Sequence, residues 1–195
     1  MVMWIEPWQP LPSALRAMDE PNGLVAATRS LSPRRLLEAY RKGLFPWYSE
    51  GQPVLWWSPH PRMVAYPDHF NPRRSLRKKL RSIARAGDWR IVLDGNFRQV
   101  MEACAAPRRD GAGTWIAPAV IDAYVGLHRL GHAHSFEVRD RDGALLAGLY
   151  GVAIGRMFFG ESMFTRVPDG SKCAYAAMMT TLRMLGVPMV DCQQS

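Results

Sequence analysis

A carboxylate set inside an apolar strand pattern constrains this chain more than any other feature of its sequence. Residues 144–152 and 156–164 are two apolar runs separated by Ala153, Ile154 and Gly155, which predicts a β-hairpin with those three residues as its turn. Side chains alternate along a strand, so this reading puts Met157, Phe159, Glu161 and Met163 on one side. A carboxylate in that company is costly to bury unless something pairs with it. Gly170-Ser171-Lys172 then opens a helix, with Ser171 as its expected N-cap. Tyr175, Met178, Met179 and Leu182 follow at helical spacing, and Gly186 ends the run. A short strand at residues 188–190 delivers Asp191, Cys192 and Gln193. Together these elements form an α/β unit expected to bring Glu161, Asp191 and Gln193 near a Met-rich, aromatic pocket.

With 195 residues the chain has room for one domain, or for a small domain beside a main one. Its 48% hydrophobic content suits a globular core, while no apolar run approaches membrane-spanning length. The opening Met-Val-Met-Trp-Ile-Glu-Pro has neither the basic nor the apolar region of a signal peptide. Cys104, Cys173 and Cys192 are odd in number and form no Cys-x-x-Cys, which favours a reduced, soluble cytoplasmic protein over a disulfide scaffold. A formal net charge of +8 points to a polyanionic partner.

Residues 1–22 are rich in Pro and Trp and are expected to lie as extended coil. Ser32-Pro33 starts a helix whose apolar side is Leu36, Leu37 and Tyr40, and Gly43 stops it. Trp47, Trp56 and Trp57 fall within eleven residues. They read either as a small N-terminal core around Trp56 and Trp57 or as a wall for stacking a nucleobase, with Trp47 the favoured residue. Residues 62–66 are expected as a strand and 67–70 as a turn. From Asn71-Pro72 onward Arg73, Arg74, Arg77, Lys78, Lys79, Arg81 and Arg85 alternate with Leu76, Leu80 and Ile83, the pattern of an amphipathic helix with a cationic outer face. Charge runs are usually solvated faces, but seven basic and no acidic residues favour phosphate contact. A strand at 89–93 and a helix at 95–104 come next, with Phe97, Val100 and Met101 inward. A Gly- and Arg-rich loop at 107–113 has the composition to approach a phosphate, and many surface loops share it. A helix at 118–130 and a strand at 134–138 lead into the hairpin.

Other chemistry is poorly served by these residues. His128, His132 and His134 have ligand-like spacing, but a helix end and Gly131 separate them, and no paired Cys adds ligands. Cys192 has no adjacent His to activate it and reads as a structural thiol. Gly-x-Ser-x-Gly, Gly-x-x-x-x-Gly-Lys and Gly-x-Gly-x-x-Gly are all missing, against serine acyl-enzyme, ATP and NAD chemistry. Glu161 needs either a role or a partner, the latter expected near Ser171 or Lys172.

The segments Glu20-Pro-Asn-Gly-Leu24, Leu31-Ser-Pro-x-Arg-Leu-Leu37, Phe45-Pro-Trp47 and Leu55-Trp-Trp-Ser-Pro59 resemble the bacterial leucyl/phenylalanyl-tRNA–protein transferases. So do Arg74-Ser-Leu-Arg-Lys78, Gly113-Thr-Trp-Ile116, Gly131-His-Ala-His-Ser135, Gly160-Glu-Ser-Met-Phe164 and Asp191-Cys-Gln193, all in order. The resemblance implies a small N-terminal domain, residues 1–66, followed at 67–195 by an N-acetyltransferase-like (GNAT-type) α/β domain with a mixed sheet flanked by helices. It implies transfer of Leu, Phe or Met from aminoacyl-tRNA to proteins with an N-terminal Arg or Lys, marking them for N-end-rule degradation. No cofactor, metal or membrane is implied.

By the same resemblance Trp47 and Trp115 surround the tRNA's terminal adenosine, with Tyr40 nearby. Leu149, Met163, Tyr175, Met178, Leu182 and Val190 form the pocket for the donor side chain. Glu161, Asp191 and Gln193 are the polar catalytic group, and Arg74, Arg77 and Lys78 belong to the tRNA-binding patch. Two departures stand out. Thr28-Arg29-Ser30 replaces the family's Gly-Gly-Asp, so the turn there is expected to differ. The family also continues beyond Asp-Cys-Gln, so a chain ending at Ser195 is expected to leave its last strand with an uncovered edge. A non-catalytic RNA-binding remnant and a CoA-dependent acetyltransferase are the alternatives, and Arg166-Val-Pro-Asp-Gly170 is a poor pyrophosphate loop for the latter.

Overall fold

The computed structural model describes residues 2–107 and 114–193. Its strands are β1 (Met3–Ile5), β2 (Leu24–Thr28), β3 (Phe45–Pro46), β4 (Val54–Trp57), β5 (Val64–Ala65), β6 (Trp89–Leu93), β7 (Ala133–Asp140), β8 (Leu145–Ile154), β9 (Met157–Thr165) and β10 (Met189–Asp191). The α-helices are α1 (Pro33–Arg41), α2 (Arg74–Ala86), α3 (Phe97–Ala105), α4 (Pro118–Arg129) and α5 (Gly170–Met184). Packing divides the chain into two units, one of Met1–Met63, Ala105–Ala133 and Gln193–Ser195, the other of Val64–Cys104 and His134–Cys192. This grouping differs from a single cut at residue 66, because α4 falls in the first unit. Among the described residues no helix is long and apolar enough to cross a membrane.

In the first unit the sheet order is β1-β2-β4-β3, with β1 parallel to β2. The N-terminal segment, expected as coil throughout, therefore supplies an edge strand and a 3-10 turn at Ala14–Arg16. Every residue of β2 is buried, and a strand covered on both faces loses the alternation that betrays strands in sequence. Trp56 is fully buried, its indole N–H donating to Thr28 Oγ1 at 3.0 Å, while the Thr28 hydroxyl donates to the Ser30 carbonyl at 3.3 Å. The Thr28-Arg29-Ser30 departure thus provides the acceptor that a buried indole needs.

Helix α1 starts as expected, with Ser32 Oγ accepting the Arg35 N–H at 3.2 Å and Pro33 in the first turn. Arg35, also on α1, is buried and ties down the N-terminal segment. Its guanidinium donates to the carbonyls of Glu6, Pro7 and Gln9 at 3.2, 2.9 and 2.9 Å, and to Glu38 at 2.7 Å. Burial pushes the Glu38 carboxyl up, but Lys42, the Leu11 N–H and Arg35 together bring it below the ordinary carboxylate range.

The second unit holds a six-stranded mixed sheet of order β5-β10-β9-β8-β7-β6, in which β10 runs parallel to β9 and antiparallel to β5. One face carries the core: Phe136, Val138, Ala147, Leu149, Phe158 and Val190 meet Ala174, Met178, Met179 and Leu182 of α5. Leu76, Leu80 and Ile83 of α2, each half-buried, pack against this cluster, so the apolar stripe read from the sequence is the inward one. On β7 the buried Glu137 accepts from the Asn96 N–H at 2.7 Å, the Ser135 hydroxyl at 2.9 Å and Arg139 Nε at 2.7 Å.

Three expectations are corrected. The hairpin turn is Gly155-Arg156, because the register holds to Ile154↔Met157 and Gly155 takes the left-handed φ of +60° that a two-residue turn needs. The residue before α5 is Asp169, not Ser171, and Lys172 pairs with Asp169 at 2.7 Å. Strand β10 is not a bare edge, since β5 covers its outer side.

Removing Glu137 should be expensive, since Arg139, Ser135 and the Asn96 amide would lose a shared acceptor. We expect Glu137→Ala to cost about 3 kcal/mol, the order for breaking a buried charged pair, read as a fall in the urea midpoint. An unchanged midpoint would show that the network contributes nothing to stability.

Candidate active site

The site begins with an irregularity in one strand pair. Strands β8 and β9 run in register from Ile154↔Met157 to Gly151↔Gly160, and the next pair is Tyr150↔Ser162. Glu161 is the extra residue of a β-bulge. An extra residue reverses the alternation beyond it, so Met163 pairs with Leu149 while Phe159 pairs with Val152 on the other face. The expectation that Met157, Phe159, Glu161 and Met163 share a side therefore fails at Met163. Gly151 makes the bulge possible: a Cβ there would lie 2.3 Å from the Phe159 carbonyl oxygen and 2.4 Å from Phe158 Cε1. Gly151 and Gly160 inside otherwise apolar strands were the sequence signal for it.

Asp191 pairs with Phe159, which pairs with Val152, so Asp191 shares a face with Val152 and Tyr150. Tyr150 is fully buried there and packs edge-on against Phe97 at 5.8 Å. Burial, then the nearby charges of Glu161 and Cys104, raise the Tyr150 phenol well above its ordinary range. Two predicted acids, Glu161 and the buried Asp191, thus lie on neighbouring strands, with Glu161 near the phenol on the Asp191 face. The β9–β10 pairing ends at Asp191↔Phe159 although β9 runs on to Thr165, so the strands part beside the bulge. Beyond Asp191 the chain turns at Gln193, whose φ of +66° is unusual for a residue with a side chain.

The predicted donor pocket divides by exposure. Leu149, Met178, Leu182 and Val190 are buried members of the α5 cluster, so they are core by packing. Tyr175 is half-buried against that cluster and edge-on to Phe70 at 5.7 Å, and Met163 is 49% exposed. In the first unit Trp47 is 46% exposed and packs edge-on against Trp57 at 5.8 Å, while the Trp57 indole donates to the Trp47 carbonyl at 2.7 Å. Trp115 is half-buried just ahead of α4. Tyr40, by contrast, is buried, with its hydroxyl 2.6 Å from that of Tyr124.

The basic helix is as cationic as expected. Arg74, Arg77, Lys78, Arg81 and Arg85 of α2 line a groove of about 910 Å³. Lys79 turns away to lie over the Trp89 ring at 5.0 Å. Six residues of the Gly- and Arg-rich loop, 108–113, lie outside the described residues. The histidines have separate partners: His128 Nδ1 lies 2.7 Å from the Ala133 carbonyl, and His134 Nδ1 lies 2.7 Å from Asp94 Oδ2.

Comparison with known proteins gives this geometry a context. Residues 64–195 match the sequence model of leucyl/phenylalanyl-tRNA protein transferase, and residues 29–60 match that of its N-terminal domain. A leucyl/phenylalanyl-tRNA–protein transferase of Burkholderia orbicola (strain MC0-3) is 52% identical over 100% of this chain and 78% of its own length. Its counterparts in Cupriavidus metallidurans and Chromobacterium violaceum are 55% and 51% identical, over 100% and 99% of this chain and 79% and 81% of their own. Among solved structures, FemX aligns with a TM-score of 0.53 at 14% identity, over 82% of this chain and 59% of FemX. A conserved protein of unknown function from Bacteroides thetaiotaomicron VPI-5482 gives 0.51 at 9% identity, over 68% and 50%. These likenesses concern the fold alone, and the mixed α/β architecture expected from the sequence, with a small N-terminal sheet and an N-acetyltransferase-like larger one, is the one found.

Burial, and then the Asp191 charge, push the half-buried Cys192 thiol up. A raised pKa keeps the thiol protonated through neutral pH and releases the thiolate only above the ordinary thiol range. Iodoacetamide should therefore label Cys192 slowly at pH 7 and faster only in strongly alkaline buffer, as followed by peptide mass mapping. Rapid labelling at pH 7 would contradict this environment.

Proposed function

The chain belongs to the leucyl/phenylalanyl-tRNA–protein transferase family, and from that premise we propose how its residues divide the work of an aminoacyltransferase. The proposed reaction moves Leu or Phe, and also Met, from aminoacyl-tRNA to the α-amino group of acceptor proteins beginning with Arg or Lys. The setting is the cytoplasm, and the product is marked for N-end-rule degradation. The observation that carries the assignment of roles is the pair of acids, Glu161 in its bulge and the buried Asp191, on adjoining strands that part beside them.

The acceptor's α-amine attacks the ester carbonyl that joins the amino acid to the tRNA 3′ end. A new C–N bond forms, the ester C–O bond breaks, and the amine proton passes in balance to the departing ribose oxygen. A free α-amine titrates at roughly pH 8, so a modest proton transfer makes it a nucleophile. Gln193 orients the amine and accepts its hydrogen bond, polarised by Asp191. Glu161 holds the acceptor's cationic end or the bound substrate. Positioning supplies most of the acceleration, because an activated ester needs little help once the amine is aimed.

Trp47 and Trp115 stack against the donor's terminal adenosine, to which the exposed face of Trp47 is suited. Tyr40, buried on Tyr124, has a packing part behind that task. Tyr175 and Met163 present surface to the donor's Leu or Phe side chain, and the buried Leu149, Met178, Leu182 and Val190 form the floor beneath. An apolar pocket of this kind separates neighbouring side chains by only about 1–3 kcal/mol per methylene, which suits a donor set of Leu, Phe and Met. Arg74, Arg77 and Lys78 take the tRNA backbone, supported by the cationic groove along α2.

The test is transfer from Leu-tRNA and Phe-tRNA to a peptide with an N-terminal Arg, weighed by mass spectrometry. A gain of one Leu or Phe is expected. Asp191→Asn should lower the turnover rate by about 10²-fold or more and leave tRNA affinity within twofold. No gain with tRNA binding retained would favour the RNA-binding remnant. Full activity in Asp191→Asn would remove this residue from the mechanism.

A further inference from the structure

The first unit carries a second cationic, aromatic surface that the proposed chemistry leaves unused. Trp8 is 80% exposed, far beyond what a tryptophan gains by standing in water. It is nonetheless held in place. The carbonyls on either side of it, Pro7 and Gln9, both accept from the buried Arg35 guanidinium at 2.9 Å. A turn closes around the same residue, with the Gln9 N–H on the Glu6 carbonyl at 3.0 Å and the Glu6 N–H on Gln9 Oε1 at 2.9 Å. Pro7 and Pro10 restrict the backbone further. The fold thus spends a buried arginine on displaying an indole to solvent.

Beside Trp8 lies a groove of about 710 Å³, whose wall is α1. Two kinds of cation line it. Arg35 and Lys42 are used internally, both on Glu38, with Lys42 also on the Leu11 carbonyl. Arg34 and Arg41 are exposed and make no hydrogen bond or ion pair among the described residues. They are seven residues apart on one helix, two turns or about 10 Å along its axis, and so share a stripe. That separation is too long for one phosphate to bridge and suits two phosphates of the same strand. Glu38, the groove's single carboxylate, is already paired by Arg35 and Lys42. What remains is net positive charge beside one rigid aromatic face, which is the chemistry of a single-stranded nucleic-acid contact.

We propose that Trp8, Arg34 and Arg41 form a second RNA-binding surface, with Trp8 stacking an unpaired base and the two arginines holding backbone phosphates of the donor tRNA. This rests on the transferase reading above and adds a contact outside the aminoacylated end. A planar guanidinium grips phosphate by paired hydrogen bonds, so Arg34 and Arg41 contribute affinity, while stacking tolerates any base. The surface lowers the Kd for full-length tRNA and does nothing for a donor reduced to its 3′ nucleoside.

The experiment compares two donors, Phe-tRNA and 3′-phenylalanyl-adenosine, in wild type, Trp8→Ala and the double variant Arg34→Glu/Arg41→Glu. Arg129→Glu serves as a charge control elsewhere in the same unit. Trp8→Ala should weaken tRNA binding about tenfold, on the order of a lost stacking contact. The double variant should weaken it at least as much and flatten the slope of log K against log salt by about 1–2. Transfer from 3′-phenylalanyl-adenosine, and the unfolding midpoint, should be unchanged in both. Wild-type affinity for tRNA in both variants, with wild-type transfer intact, overturns the surface and spares the transferase reading. An equal loss in Arg129→Glu overturns it as well, by showing a response to bulk charge. Competition by polyglutamate as effective as that by RNA overturns it too, since stacking would then play no part. Absence of transfer by the wild type from both donors overturns the transferase reading, and the tRNA affinities of the variants then decide the surface alone, weakened binding supporting it and wild-type binding overturning it.

Discussion

The larger sheet depends on one surplus residue. Had β9 continued in simple register past Gly160, Met163 would face the same way as Phe159 and Asp191, and Ser162 would point at the α5 core. The bulge at Glu161 lets two incompatible demands coexist. The acid stays near the Tyr150 phenol on the face that holds Asp191, while Met163 crosses to join Leu149 on the apolar face. Gly151 is the condition for this, since any Cβ there would collide with the Phe159 carbonyl and the Phe158 ring. The same stretch is where β10 stops following β9, so the bulge and the parting of the strands occupy one place. Irregular strand geometry often sits beside functional residues for this reason: it re-aims a side chain without disturbing the core below.

Burying Glu137 in this sheet is tolerated because its carboxylate is given fixed donors. Glu137 collects a backbone amide, a hydroxyl and a guanidinium, and Gly95 leaves room for its carboxylate, where a Cβ would sit 2.9 Å from Oε2. Arg139 is itself held by Gln99 and the Gly143 carbonyl, each at 2.7 Å. A network this fully satisfied fixes the start of α3 against β7, and thereby the Phe97 ring against Tyr150.

How much of this was legible follows from periodicity. Helices α1, α2, α4 and α5 were readable because their apolar residues recur at three and four, bounded by Ser-Pro, Pro or Gly. Strand β2 was not, because Leu24 to Thr28 is buried on both faces and shows no alternation. Strand β1 was hidden among Trp and Pro that look like coil, its pairing with β2 being a long-range fact. At the candidate site the faces of β9 were not legible. A period-two reading has no means of counting a bulge, although Gly151 and Gly160 marked where to look. Tyr40 shows the converse: an aromatic on the apolar side of a helix reads equally as core or contact, and nothing in the sequence signals that its hydroxyl is buried against that of Tyr124.

The distribution of cations supplies the last step. Helix α2 begins with Arg73, Arg74, Arg77 and Lys78 and has no acid in its first turn. Cations at the positive end of a helix are each unfavourable by about 0.3–1 kcal/mol, so local stability argues against this arrangement. An anion brought to that end reverses the sign: it meets the helix dipole and the side chains together. In α1 the dipole opposes Arg34 in the first turn and favours Arg41 in the last, but a fold that pairs Arg35 and Lys42 so carefully leaves both without counter-charge among the described residues. Where a sequence breaks a local rule that it observes elsewhere, the compensation lies outside the free chain. On the proposed reading the missing partner is polyanionic in both units, and the exposed Trp8 suits one that carries bases.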